Sequence, residues 1–227
     1  MNILALETAL TEKNSLTLIK ASETHSFSLG NTYALSKTLI PSIEAFLTSF
    51  DMNYSDLGGL SVITGPGSFT GIRVGISAAQ GLSLANSIPL VGISTFEAWK
   101  AFAISQADLI TSSVLILVDS KRDDPYYALY SQDWELISPP QTLNLETLQE
   151  LQLPSHLSVI GDLYLTETFD RLKKIGIHTT TLPQDAYGLS YWAAQVALKK
   201  LHVTPHLFSP QSCIPTYVSQ PQTSRKI

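Results

Sequence analysis

The sequence has little cysteine, little charge and no long apolar run, and each shortage removes a class of protein. A single cysteine, Cys213, in 227 residues leaves no internal disulfide framework and fits a reducing compartment. No stretch approaches the roughly 18–20 apolar residues a helix needs to cross a bilayer. The opening MNILALETAL has no basic segment ahead of its apolar residues, and Glu7 interrupts the run at once. These features predict a cytoplasmic protein without a membrane segment. Only 15% of residues are charged, the formal net charge is −5, and the basic clusters are no longer than the pairs Lys121-Arg122, Lys173-Lys174 and Lys199-Lys200. Backbone binding to nucleic acid is driven by Lys and Arg neutralising phosphates, so any RNA role requires a partner.

Metal and nucleophile chemistry is equally thin. Of His25, His156, His178, His202 and His206, only the last two form a suggestive pair, and Pro205 inside HVTPH breaks the helical face that zinc ligands would share. No metal and no cofactor is expected. Asp123-Asp124 beside Tyr126-Tyr127 reads as a charged turn before an aromatic strand, and Cys213 lies in no pattern that marks a nucleophile.

What is present is apolar patterning: 44% of residues are hydrophobic, enough for a substantial core. NILALET, SLTLIKA and THSFSLG read as three successive strands. A helix follows over YALSKTLIPSIEAFLTSF, where Leu35, Leu39, Ile43, Phe46 and Phe50 recur at helical spacing around a kink at Pro41. Then come GGLSVIT as a strand, TGIRVGISAAQGLSLAN as a helix, PLVGIS as a strand and TFEAWKAFAIS as a helix. The second half repeats the order: strands at SVLILVDS, PYYALYS and WELISP, a helix at NLETLQELQ, a strand at HLSVIG, a helix at ETFDRLKKIG, a strand at IHTTTL and a helix at GLSYWAAQVALKKL. This predicts an α/β chain of the duplicated ribonuclease-H-like architecture shared by actin, sugar kinases and the Hsp70 ATPase, with lobes at 1–105 and 106–227. In proteins of that architecture a nucleotide sits between the halves, held by the loops after the first strand of each. Glu7-Thr8 and Asp119 occupy the corresponding places. Acids at strand ends also serve simply as turn acceptors.

The stretch ITGPGSFTGIRVG joins a strand to a helix. Gly65 and Gly67 permit backbone angles closed to other residues, Pro66 fixes one angle, and Ser68 or Thr70 can cap the helix that begins near Gly71. Backbone N–H groups at such a helix start attract anions. The Walker pattern nevertheless fails, because Ile72 stands where its lysine belongs, and G-x-G-x-x-G fails because the third glycine comes one residue late. The helix behind the loop is apolar most of the way round, and Gly71, Gly75 and Ala79 at four-residue spacing would let another helix approach, which points to a protein partner. Arg73, Ser77, Gln80 and Leu84 share the face expected to point outward.

GPGSFTGIRVGISAAQGLSLANSIPLVGISTFEAW closely resembles the bacterial TsaB proteins, also called YeaZ. The likeness is strong over residues 56–101, fair over LALETAL and the Pro41 helix, and thin in the second half, where LVDSKRDDPYYALY and IPTYVSQ match family segments. It implies a non-catalytic subunit of the machinery that puts threonylcarbamoyl on adenosine 37 of tRNAs. In that family TsaD carries the metal and transfers the group, TsaE joins the pair, and tRNA is met only through the complex. TsaB binds TsaD through the helices of its first half and forms homodimers through the same surface when alone. The resemblance makes Leu35, Leu39 and Ile43 on the first helix, and Ile72, Arg73, Ile76, Ser77, Gln80 and Leu84 on the second, the candidate interface. The chain departs from the family pattern at Glu7, where Asp is usual, at Ala9, where Ser is usual, and at Leu35-Ser36-Lys37 in place of His-Ser-Glu. Two alternatives remain open: a small ATP-dependent kinase of the same fold, built on Glu7-Thr8, Asp119 and the glycine loop, and a homodimeric interaction protein built on the apolar helix.

Overall fold

The runs read as strands form two five-stranded mixed sheets. This computed structural model of the chain describes residues 1–10, 13–21, 23–30, 34–162, 165–181, 188–203 and 208–218. Tyr33 at the start of the first expected helix, His206, and the end of IPTYVSQ lie outside the described residues. The chain divides into two compact units, Met1–Phe102 with Gln184–Pro215, and Ala103–Pro183 with Thr216–Ile227.

The first unit holds β1 (Ile3–Glu7), β2 (Asn14–Lys20), β3 (Glu23–Gly30), β4 (Gly59–Gly65) and β5 (Leu90–Ser94) in the order β3-β2-β1-β4-β5. β1 pairs antiparallel with β2 and parallel with β4, Ile3 standing opposite both Ile19 and Gly59. β1 and β4 are buried throughout, as strands covered on both faces must be. Helix α1 (Leu35–Thr48) contains Pro41 and packs on β3 and on α2 (Phe69–Asn86), which in turn contacts β1, β4 and β5. Helix α3 (Thr95–Ser105) leads out of the unit.

The second unit repeats the plan. β6 (Ser113–Val118), β7 (Tyr126–Tyr130), β8 (Leu136–Thr142), β9 (His156–Gly161) and β10 (His178–Thr181) run in the order β8-β7-β6-β9-β10, again with the first strand central, antiparallel to the second and parallel to the fourth. Its core gathers Leu115, Leu117, Leu129, Leu157 and Leu172. Helix α4 (Thr166–Lys174) stops before Gly176, whose φ of +84° suits glycine.

Two expectations fail. The helix over NLETLQELQ is only a single turn of 3-10 helix at Leu148–Glu150. The Asn144 side chain accepts hydrogen bonds from the N–H groups of Glu146 and Thr147, as an N-cap does, and Leu145 donates to Asp124 Oδ1, yet the chain closes only this one 3-10 turn and is extended again at Leu151. The last helix, α5 (Leu189–Val203), was expected in the C-terminal lobe but packs on β1, β2, β4 and β5 of the first unit. Its Ser190 hydroxyl lies 2.8 Å from both Thr17 Oγ1 and Ser15 Oγ, and Leu201 fills the space above Gly59.

Candidate partner-docking site

The turn after β1 and the loop after β4 are built against each other. Glu7 is fully buried, and its Oε1 accepts from the N–H groups of Ala9 at 2.6 Å and Leu10 at 2.8 Å. The Ala9 carbonyl then accepts from Ser68 N–H at 2.7 Å. Across the loop, Gly65–Pro66 is a cis peptide, and the Thr95 hydroxyl donates to the Pro66 carbonyl at 2.6 Å. Gly67 has φ +155°, and a Cβ there would lie 2.6 Å from the Ala9 carbonyl oxygen. Ser68, one of the two expected caps, accepts from Gly71 N–H through its hydroxyl, and α2 begins at Phe69. Thr70 is exposed on the first turn.

Thr8 is buried in this joint, and its hydroxyl donates to the Gly71 carbonyl at 2.9 Å. A side chain at Gly71 or Gly75 would collide with Thr8, and Ala79 is fully buried. The small-residue strip thus seats α2 on its own first strand, where the sequence suggested the approach of a foreign helix. Glu7 serves as a turn acceptor. In the second unit Asp119 does likewise, accepting from Lys121 N–H at 2.7 Å and pairing with Lys121 Nζ at 2.6 Å.

The candidate interface residues separate by burial. Leu35, Leu39, Ile43, Ile72 and Ile76 belong to the unit's own core, because α1 and α2 bury their i, i+4 stripes against each other and the sheet. Arg73, Ser77 and Leu84 are exposed. Gln80 is half-buried and occupied: its Nε2 donates to the carbonyls of Pro210 at 3.0 Å and Cys213 at 2.9 Å, tethering the C-terminal segment to α2. Beneath that tether Cys213 packs against Gly92, and burial pushes its thiol up to about 11.

Between α1 and α2 runs an open groove of about 430 Å³, walled by Leu35, Leu39 and Ile40 on one side and Arg73, Val74 and Ser77 on the other. The Arg73 guanidinium lies 3.7 Å above the exposed Phe69 ring at the head of α2. Ile40, Val74 and Phe69 were missed from the sequence; Ile40 is 37% exposed and stands outside the Leu35-Leu39-Ile43 series, which is the signal that marks it as outward. The surface is apolar at its floor, with the Ser36 and Ser77 hydroxyls and one cation, Arg73, among its lining. It suits the docking of another helix.

A family model described as TsaD: tRNA N6-adenosine threonylcarbamoyltransferase matches residues 32–203. The tRNA threonylcarbamoyladenosine biosynthesis protein TsaB of Escherichia coli (strain K12) is 33% identical over 100 residues, covering 42% of this chain and 40% of that protein. The protein of the same name from Haemophilus influenzae is 30% identical over 130 residues, covering 56% and 53%. The chain belongs to the TsaB (YeaZ) family. Its matches span about half the length of these relatives. Among solved structures, YeaZ from Pseudomonas aeruginosa superposes with a TM-score of 0.73 at 19% identity, covering 95% of this chain and 99% of that one. A Bacteroides thetaiotaomicron protein with an actin-like ATPase fold gives 0.50 at 10% identity, covering 89% and 95%. These likenesses show the duplicated ribonuclease-H-like fold that the repeated order of elements predicted. Among the described residues no helix is long and apolar enough to cross a membrane.

Proposed function

We propose that this chain serves tRNA threonylcarbamoyladenosine formation as a cytoplasmic, non-catalytic subunit that activates TsaD by docking on it through α1 and α2. The observation that carries this is the groove between those helices, whose outward wall presents Arg73, Val74 and Ser77 while the isoleucines behind them hold the unit together. Membership of the TsaB family supports the pathway. The burial of Glu7 and Thr8 inside their own turn supports a non-catalytic role, since neither reaches outward to hold a nucleotide or its metal. TsaE joins the pair in a larger assembly, tRNA is met only there, and without TsaD two copies associate through the same face.

Ser77→Glu tests this. Ser77 is exposed, so the isolated chain folds as before. A carboxylate forced into a close helix interface is desolvated without a partner, at a cost of several kcal/mol. That is a loss of about two or more decades in affinity for TsaD. Binding measured by calorimetry, with threonylcarbamoyl transfer to tRNA in the reconstituted mixture, reads both steps. A Ser77→Glu chain that binds TsaD as tightly as wild type overturns the proposal.

A further inference from the structure

The second unit carries a feature the docking surface does not use. His156 opens β9 and His178 opens β10, and the parallel register sets the two residues directly opposite each other, so their side chains leave the sheet on the same side. Both are exposed. Their ring centroids are 5.0 Å apart with planes inclined by 22°. His156 Nδ1 lies 3.1 Å from the Ser155 hydroxyl, and the tautomer in which Nδ1–H donates to that oxygen leaves the Nε2 lone pair available to an ion.

We propose that His156 and His178 form a two-imidazole site for a borderline divalent transition-metal ion of the Zn²⁺, Ni²⁺ and Cu²⁺ class. The spacing carries the inference. Two imidazoles bound to one tetrahedral ion at about 2.0–2.1 Å hold their ring centres roughly 5 Å apart; the two rings already have that separation in a stacked setting, and rotation about their side-chain bonds turns a nitrogen of each toward a shared ion. Adjacent strands fix both Cα positions, so chelation orders only two exposed side chains. Nitrogen donors select against Mg²⁺ and Ca²⁺, which take oxygen ligands. Among the described residues no group of three or more His, Cys, Asp and Glu side chains converges. The site is therefore proposed as an open one, with two protein ligands from the described residues and water in the remaining positions. Cys213, the one thiol, is buried and does not compete.

The site is tested on the full chain with NiCl₂ and ZnSO₄. Calorimetry is expected to show one ion per chain, and His156→Gln and His178→Gln are each expected to weaken binding at least tenfold, the double variant no more than either single one. Exposure of both residues keeps the variants folded. The wild type gives an independent readout: substoichiometric Ni²⁺ should broaden the imidazole resonances of His156 and His178 ahead of those of the other three of the five histidines. A loss of less than tenfold in either single variant, or even broadening across all five rings, overturns the proposal.

Discussion

Gly67→Ala isolates what the joint between the first turn and the glycine loop contributes. The added Cβ would lie 2.6 Å from the Ala9 carbonyl oxygen and 3.0 Å from the Ala9 Cβ, well inside ordinary contact. The same carbonyl holds Ser68 N–H at 2.7 Å, so it cannot retreat without stretching that bond. Holding a non-glycine residue at φ +155° costs about 1–3 kcal/mol. Forcing a methyl into a packed site costs about 1–3 kcal/mol more. Because one backbone shift relieves part of both, the expected destabilisation is about 3 kcal/mol, a large fraction of the ~5–15 kcal/mol that holds a domain folded. Gly81→Ala is the control: Gly81 is exposed on α2, the helix that follows the loop, with nothing within 4 Å of the added atom, and the exchange should stabilise by about 0.5–1 kcal/mol. Urea unfolding followed by indole fluorescence reads both variants, since Trp99 and Trp192 lie in this unit. If Gly67→Ala unfolds within ~0.5 kcal/mol of wild type, below the strain cost alone, the joint is not the tight one described and the reasoning fails.

Thr8→Val removes the hydroxyl that donates to the Gly71 carbonyl while keeping the shape, so it should cost about 1 kcal/mol; an unchanged midpoint would show that the contact adds nothing. Because the Cys213 thiol is raised to about 11, its neutral form is the one favoured by folding. That contribution is complete below the ordinary thiol range near 8.5 and declines as pH rises toward 11. A disulfide reagent should therefore label the native chain far more slowly than the urea-unfolded chain at pH 8, and equal rates would refute the burial argument. Burial works to raise the Glu97 carboxyl, but Lys200 Nζ and Ser94 N–H, each at 2.8 Å, hold it below the usual carboxylate range. Its stabilisation is present above that range and is lost as pH falls through the lowered value. Being partly exposed, the pair is worth at most about 1 kcal/mol, and Glu97→Gln should flatten that part of the acid limb; an unchanged acid profile would contradict it.

Much of the fold was legible because its central strands are apolar on both faces: ILALE and SVLILV are short apolar runs bounded by turn residues, and their length favours strand over helix. Local chemistry also offered Ser68, beside Thr70, as the cap, and Ser68 is the one used. What the sequence withheld was the partner of each close contact. Glycines at 67, 71 and 75 announce that something comes near, but that the neighbours are Thr8 and Ala9, some sixty residues earlier, is a fact of topology. The same limit misplaced α5. Ala193, Ala194 and Ala197 declare a closely packed stripe without saying which sheet lies beneath it. At NLETLQELQ the leucine spacing was helical and Asn144 caps its start, but only Leu148–Glu150 close a turn, of 3-10 type, and periodicity does not show how far a started helix runs. For the docking face, periodicity separated outward from inward positions on α2, yet it had no means of seeing that Gln80 is tied to the chain's own C-terminal segment.

The return of α5 to the first sheet governs the order in which the molecule can be made. Residues of the second unit are continuous from Ala103 to Pro183 and leave the ribosome before α5 exists. During that interval, about 5–20 s at ordinary rates of synthesis, the sheet face that α5 will cover is bare while α2 can pack on β1, β4 and β5, and β1 and β4 are apolar on both sides. The first unit to be translated is thus the last to be completed. Emergence of α5, and not of the N-terminal half alone, is the event that completes the unit on which the α1–α2 surface is built.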